Sequence, residues 1–246
     1  GGLISDKGAD ASWQLVQTLP NEFAADSRFK YNQTGYIVIG KIIEQITNQP
    51  FTDFITENQL QKIAMKRTEE AGFENLNNVV AHSARRYKYD YNQDLTNLEK
   101  QEFSPMLYPA VGMSSTATEM AKWIIALQSK AFLQKQSSLT TLWEPAILDS
   151  GHTQAFNSVQ NGYALGWPIA VRDKHPAVAP SGGNRSAFFI YPQDDLAIVV
   201  LTNLADAVPE YFIDDIAGFY IPEMKKEQGF GLSPSVKALW LELEKE

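Results

Sequence analysis

The chain has 246 residues, 44% of them hydrophobic and 20% charged, which is long enough to bury one substantial core and too apolar for a disordered chain. Its 21 basic and 29 acidic residues leave a net charge of −8, which repels phosphate backbones and argues against a nucleic-acid partner. No apolar run approaches the roughly 20 residues that span a bilayer, no basic-then-apolar leader opens the chain, and the absence of cysteine excludes disulfides and thiolate zinc sites while leaving the compartment open.

The first strong helical pattern begins near Gly35, where Ile39, Ile42, Ile43 and Ile46 recur at i, i+3, i+4 and i+7 and predict a buried face; Asn48 and Pro50 supply the stop. A second helix is expected over Thr52 to Lys62, anchored by Phe54 and Ile55. Residues 82–91, HSARRYKYDY, interleave basic and aromatic side chains as a base-stacking surface would, but their period of two fits a half-exposed strand, and the acidic chain opposes nucleic acid. Thr116 and Glu119 have the spacing of a capping box, opening a helix whose stripe is Met120, Trp123, Ile124 and Leu127.

The character then changes. YALGWPIAV, AVAPSGG, SAFFIYP and LAIVVLTNL are short β-branched or aromatic runs separated by the turn-rich RDKHP and QDD, and they predict consecutive antiparallel strands over 162–204. Asp194-Asp195 falls in a predicted hairpin turn, and Asp214-Asp215 is expected on the solvated face of a helix. A final amphipathic helix is expected from Ser233 and Pro234 through Val236, Leu239, Trp240 and Leu243. Helices, then strands, then helices predict one α+β domain over 1–246, an antiparallel β-sheet flanked by helices. His82, His152 and His175 have no ligand spacing, so neither a metal nor another cofactor is predicted.

One short stretch carries chemistry. In SRFKYNQTGYIVIGKIIE, residues 27–44, Ser27 and Lys30 form a Ser-x-x-Lys, the spacing of a nucleophile and its proton acceptor, and no other occurs in the chain. That pairing works on the first turn of a helix, where N–H groups also stabilise an oxyanion. Phe29 and Tyr31 read instead as an extended approach, so Ser27 and Lys30 are expected to be a chance match, out of reach of each other.

Read whole, SRFKYNQTGYIVIGKIIEQITNQPFTDFI resembles the tyrosine motif of the serine β-lactamase-related hydrolases, which include class C β-lactamases, D-alanyl-D-alanine carboxypeptidases of the R61 type and esterases of the same fold. The likeness continues in the family's order through IAMKRT, PAVGMSSTATEMAKWIIAL, NGYALGW and PSGGNRSAFFIYPQDDLAIVVLTNL. It implies a β-lactamase/transpeptidase-like fold whose N-terminal strands and nucleophile helix, with the true Ser-x-x-Lys, precede Gly1, the GGL of residues 1–3 resembling the end of the stretch between them.

By the same resemblance, Tyr31 moves a proton between the serine hydroxyl and the leaving group, a role for which a phenol of ordinary pKa about 10 needs positive neighbours. Gln33 stands where the family usually has Asn, setting its amide about one methylene further out. Ser181 and Gly182 match the second and third positions of a Lys-Thr-Gly or His-x-Gly strand. With Gly183, whose N–H would be the second oxyanion donor, and Asn184, they are expected to bind substrate. Pro180 replaces the cation of that strand, which weighs against a β-lactam or peptide carboxylate. Tyr31 and the 181–183 strand are therefore expected to line one cleft for a small-molecule or peptidoglycan-type substrate. The resemblance implies a periplasmic or secreted location. Pro180 and Gln33 keep open a non-catalytic, ligand-binding relative.

Overall fold

The computed structural model describes residues 9–73, 82–92, 94–98, 103–133 and 135–225. GGL at 1–3 and the helix expected from Ser233 lie outside them. The helical elements are α1 (Ala9–Thr18), α2 (Gln33–Thr47), α3 (Phe51–Ile55), α4 (Lys66–Ala71), α5 (Ala117–Gln128), α6 (Gln136–Trp143) and α7 (Ile213–Ala217). The strands are β1 (Tyr87–Tyr89), β2 (Leu95–Asn97), β3 (Gly162–Tyr163), β4 (Pro168–Ala170), β5 (Ala177–Val178), β6 (Ser181–Gly182), β7 (Ser186–Tyr191) and β8 (Leu196–Leu201).

The strands β3 to β8 of the expected region all pair antiparallel. β3, β4, β5 and β7 follow one another in the sheet, and β7 also pairs with β6 and β8. After Ser186, β7 is apolar from Ala187 to Tyr191, and it packs against helices on both faces. Ala187, Phe189 and Tyr191 pack with Ile213, Ala217 and Ile221 on the α7 side. Ile190 and Phe188 pack with Ile124, Trp123 and Trp167 on the α5 side. Helices on both faces of an antiparallel sheet make this the α+β architecture that the element order predicts. β1 and β2 form a separate ladder, with Tyr87 opposite Asn97 and Tyr89 opposite Leu95.

AVAPSGG forms two strands where one was expected. β5 and β6 lie along the same edge of β7, with Val178 opposite Ile190 and Ser181 opposite Ala187. The break falls at Ala179-Pro180: Pro180 accepts from the Phe188 N–H at 3.0 Å but has no N–H to return. The 52–62 helix is also uneven, running as α3, a π-helical turn over Thr56–Leu60 and a 3₁₀ turn over Gln61–Ile63.

The isoleucine face of α2 is a correction. Ile39, Ile42 and Ile46 are 54%, 47% and 78% exposed, and the helix instead buries Ile37 and Gly40. Gly40 decides the orientation: a Cβ there would sit 2.3 Å from Cγ of Pro109, so only glycine lets that segment approach. Apolar residues surround much of α2, and periodicity does not rank one face over another.

The capping box is half formed. Oγ1 of Thr116 accepts from the Glu119 N–H at 3.2 Å, but the Glu119 side chain turns away to the start of α4. Its carboxylate accepts from the N–H groups of Arg67 and Thr68 at 3.0 and 2.8 Å and from the Thr68 hydroxyl at 2.6 Å. Burial alone would raise the Glu119 pKa, but these bonds outweigh it and hold the carboxyl below its ordinary value. The folded value is the lower one, so this stabilisation is present above the ordinary carboxylate pKa and lost as pH falls through the lowered value. Glu119→Gln is expected to cost about 2–3 kcal/mol at pH 7, because a donor is left buried without an acceptor. It should also flatten the acid limb of the stability curve. Denaturant titrations between pH 3 and 7 measure both.

Candidate functional site

Tyr31 sits just before α2, whose first turn is closed by Asn32; Oδ1 of Asn32 accepts from the Thr34 N–H at 2.8 Å. Gln33 is the first residue of that helix and is exposed. Ser27 and Lys30 lie in the turn and extended segment ahead of it and are engaged elsewhere. The Ser27 hydroxyl donates to the Ala24 carbonyl at 2.7 Å, and the Lys30 ammonium is paired with Glu22. Neither stands on a helix N-terminus, so the Ser-x-x-Lys spacing is not that of a catalytic pair here.

The segment carrying Tyr31 is fastened to a loop 125 residues further on, where the Phe29 N–H donates to Oε1 of Gln154 at 3.0 Å. Aromatic rings continue the contact. Phe29 packs on Phe156 and Tyr163 with centroids 5.6 and 4.8 Å apart, and Tyr31 packs edge-on against Phe156 at 5.3 Å. Tyr36 closes the group: its hydroxyl is 2.5 Å from that of Tyr163 and donates to the Gly166 carbonyl at 3.2 Å. Tyr31 stays 42% exposed, and among the described residues its hydroxyl has no hydrogen-bond partner. Burial, and then Tyr36, push its pKa above the ordinary phenol value, so the group rests protonated.

The same loop reaches the glycine strand. Gln160 is 1% exposed, and its amide donates to the Ala179 carbonyl at 2.6 Å and to Oγ of Ser181 at 3.0 Å. Asn157 fixes the Gln160 side chain, donating to its Oε1 at 3.2 Å. Both amide hydrogens of Gln160 are thereby used and Ser181 is the acceptor, which leaves the Ser181 O–H an uncommitted donor among the described residues. The bridge occupies the break in the strand at Pro180, where the ladder to β4 ends. Tyr31 and Ser181 thus contact the two ends of one loop, through Phe156 and Gln160.

Gly183 and Asn184 occupy the hairpin turn between β6 and β7, both in the left-handed region with φ of 58° and 53°. A side chain at Gly183 would meet nothing within 4 Å but would strain the backbone. Asn184 donates to Oδ1 of Asp206 at 3.0 Å. The sequence reading did not single out Gln160, Phe156 or Tyr163 as site residues; Tyr163 lies within the quoted NGYALGW, and Gln160 just ahead of it. Among the described residues no group of three His, Cys, Asp or Glu is placed to hold a metal, and no helix is long and apolar enough to cross a membrane. Two depressions lie near these segments. One of about 330 Å³ is lined by Ile37, Gly40 and Pro109, away from Tyr31; one of about 240 Å³, lined by Phe29, Lys30, Gln154 and Tyr163, backs the Tyr31 segment.

The antiparallel sheet with helices on both faces is an α+β architecture, and the Beta-lactamase family profile matches residues 3–220. The chain belongs to the β-lactamase family. Protein flp of Staphylococcus aureus strain N315 is 28% identical over 186 residues, which are 74% of this chain and 35% of that protein. The chain therefore spans about a third of the length of the curated relatives it matches. A penicillin-binding protein from Bacillus halodurans aligns with a TM-score of 0.63 at 21% identity, over 85% of this chain and 62% of that one. D-amino acid amidase from Ochrobactrum anthropi SV3, solved with D-phenylalanine, aligns with a TM-score of 0.61 at 20% identity, over 83% and 60%. These likenesses show the β-lactamase/transpeptidase fold.

Proposed function

We propose that the chain is part of a serine hydrolase that acts on an ester, an amide or a β-lactam or D-alanyl peptide through an acyl-enzyme. Its nucleophile lies in polypeptide upstream of these 246 residues. The observation that carries this reading is the loop of residues 154–161, which holds the Tyr31 ring through Phe156 and the Ser181 hydroxyl through Gln160. In this reading Tyr31 passes the proton between nucleophile and leaving group, and Gln33 orients substrate from the start of α2. Ser181 donates its free O–H to the substrate, Gly183 offers its N–H to the oxyanion, and Gly182 and Asn184 complete the wall. A resting phenol with a raised pKa needs a cation before it can accept a proton, and Lys30 is turned to Glu22. The reading assigns that cation, like the serine, to the upstream segment. The exposed isoleucine stripe of α2 supports further chain packing there.

A catalytically inactive, peptidoglycan- or ligand-binding relative is the second reading, favoured by Pro180 in place of a cation and by Gln33. Intact-mass measurement after incubation with a fluorophosphonate or a penicillin separates the two. The 246-residue chain should take no adduct, and the longer polypeptide should take one per molecule on an upstream serine. An adduct on Ser27 would overturn the division of roles, and none on the longer protein would establish the second reading.

A further inference from the structure

Arg86 and Arg185 flank the chain leaving β8 beside the glycine hairpin, and among the described residues neither has an acidic partner. Arg185 is the last residue of the turn after β6, and Arg86 immediately precedes β1. Their backbones are fastened to the two sides of the chain leaving β8. The Arg185 carbonyl accepts from the N–H and hydroxyl of Thr202 at 2.8 and 2.9 Å. Next to it, the Tyr87 N–H donates to the Asn203 carbonyl at 2.8 Å, and the Asn203 amide donates to the Arg85 carbonyl at 2.9 Å. A parallel bridge between Tyr87 and Leu204 locks the register. The two backbones are therefore not free to drift apart and relieve the like charges.

Among the described residues neither guanidinium has a hydrogen bond or ion pair, and Nε of Arg185 is buried without a partner. Asp206, beside the hairpin, is committed to the Asn184 amide. Burial, and then the charge of Arg185, hold Arg86 below the ordinary guanidinium range, as expected of two cations that share a partly dry setting. A buried N–H of a charged group calls for an acceptor, and a guanidinium fork with a second cation at hand suits the oxygens of a single small oxyanion.

We propose that Arg86 and Arg185 form a binding site for a small oxyanion, a carboxylate or a phosphate, at the Gly183–Arg185 hairpin. The site stands on these residues alone, whether or not the protein performs acyl transfer. Bound there, the anion would accept from Nε of Arg185 and neutralise the repulsion between the two side chains.

Thermal unfolding of the 246-residue chain in sodium phosphate, sodium acetate and sodium chloride of equal ionic strength at pH 7 tests the proposal. A ligand that binds only the folded state raises the melting temperature saturably. Phosphate or acetate should do so beyond chloride, with a rise for phosphate alone marking a phosphate site and a rise for both a site that also takes carboxylates. Arg86→Gln and Arg185→Gln should each weaken the apparent affinity by about tenfold or more, as loss of a bidentate charged donor does. In chloride alone Arg86→Gln should melt no lower than the parent, because it removes a repulsion. Should Arg185→Gln fail to fold, Arg86→Gln with Arg185→Lys carries the comparison. An equal oxyanion response in the parent and the Arg86→Gln variant, or none in the parent, would overturn the site. Failure of the acylation reading would leave this measurement unchanged.

Discussion

Tyr31→Phe, made in the longer polypeptide, is expected to slow acylation by a fluorophosphonate or penicillin by about 10²–10⁴-fold, the range of a lost general acid–base group. The physical case is that the phenol oxygen is spent on nothing else. Its hydroxyl has no hydrogen-bond partner among the described residues, whereas its ring packs on Phe156, Tyr36 and Tyr163. Phenylalanine keeps those ring contacts, so stability should change by about 0.5 kcal/mol or less. Stopped-flow or intact-mass acylation rates together with denaturation midpoints separate the effects. An unchanged rate would remove Tyr31 from the chemistry, and a large fall in stability would make it a packing residue.

Asp214→Ala is expected to give the largest loss of stability of the substitutions considered, about 3 kcal/mol. Asp214 was expected on a solvated helix face, and the structure corrects this. Its carboxylate takes both terminal nitrogens of Arg172, at 2.6 and 3.0 Å, and the hydroxyl of Tyr191 at 2.8 Å. Burial works against the charge of Arg172, but the bonds it donates to Asp214 and the carboxylate charge outweigh it and raise its pKa. Burial, and then the Asp214 charge, push the Tyr191 phenol up as well. Tyr191 is wholly buried, so removing the carboxylate strands a buried hydroxyl and a half-buried cation together. Urea titration measures the loss. Replacing Arg172 and Asp214 together by Met and Leu should recover the part of the loss that comes from the unpaired charge, and leave the part that comes from the stranded Tyr191 hydroxyl.

The strands were legible because a six-residue apolar run such as SAFFIY, bounded by PSGGNR and PQDD, has few other ways to bury itself. The N-cap at Thr116 was legible because a cap is a contact between residues three apart. The turn position of Asp194 was equally local, although its bond to Nδ1 of His175 at 2.8 Å was not. The tyrosine and glycine segments were readable as separate stretches of sequence. Their connection was not, because it runs through the Phe156 ring and the Gln160 amide, neither of which has a local signature.

Sequence alone thus determined the antiparallel strand run, the starts of α2 and α5 and the chemical character of the tyrosine and glycine segments. All of these depend on neighbours a few residues apart, whose apolar period or capping geometry is written in the chain. Tertiary structure decided the rest. Gly40, by admitting Pro109, chose which face of α2 is buried against a stronger isoleucine pattern. Glu119 left its own capping box for the N–H groups of α4, 51 and 52 residues away. Gln160 entered the strand break that Pro180 creates, and Asp214 turned from solvent to Arg172, 42 residues away. In each case a buried polar group or a close approach had to be satisfied, and the partner that satisfied it is near only after the chain has folded.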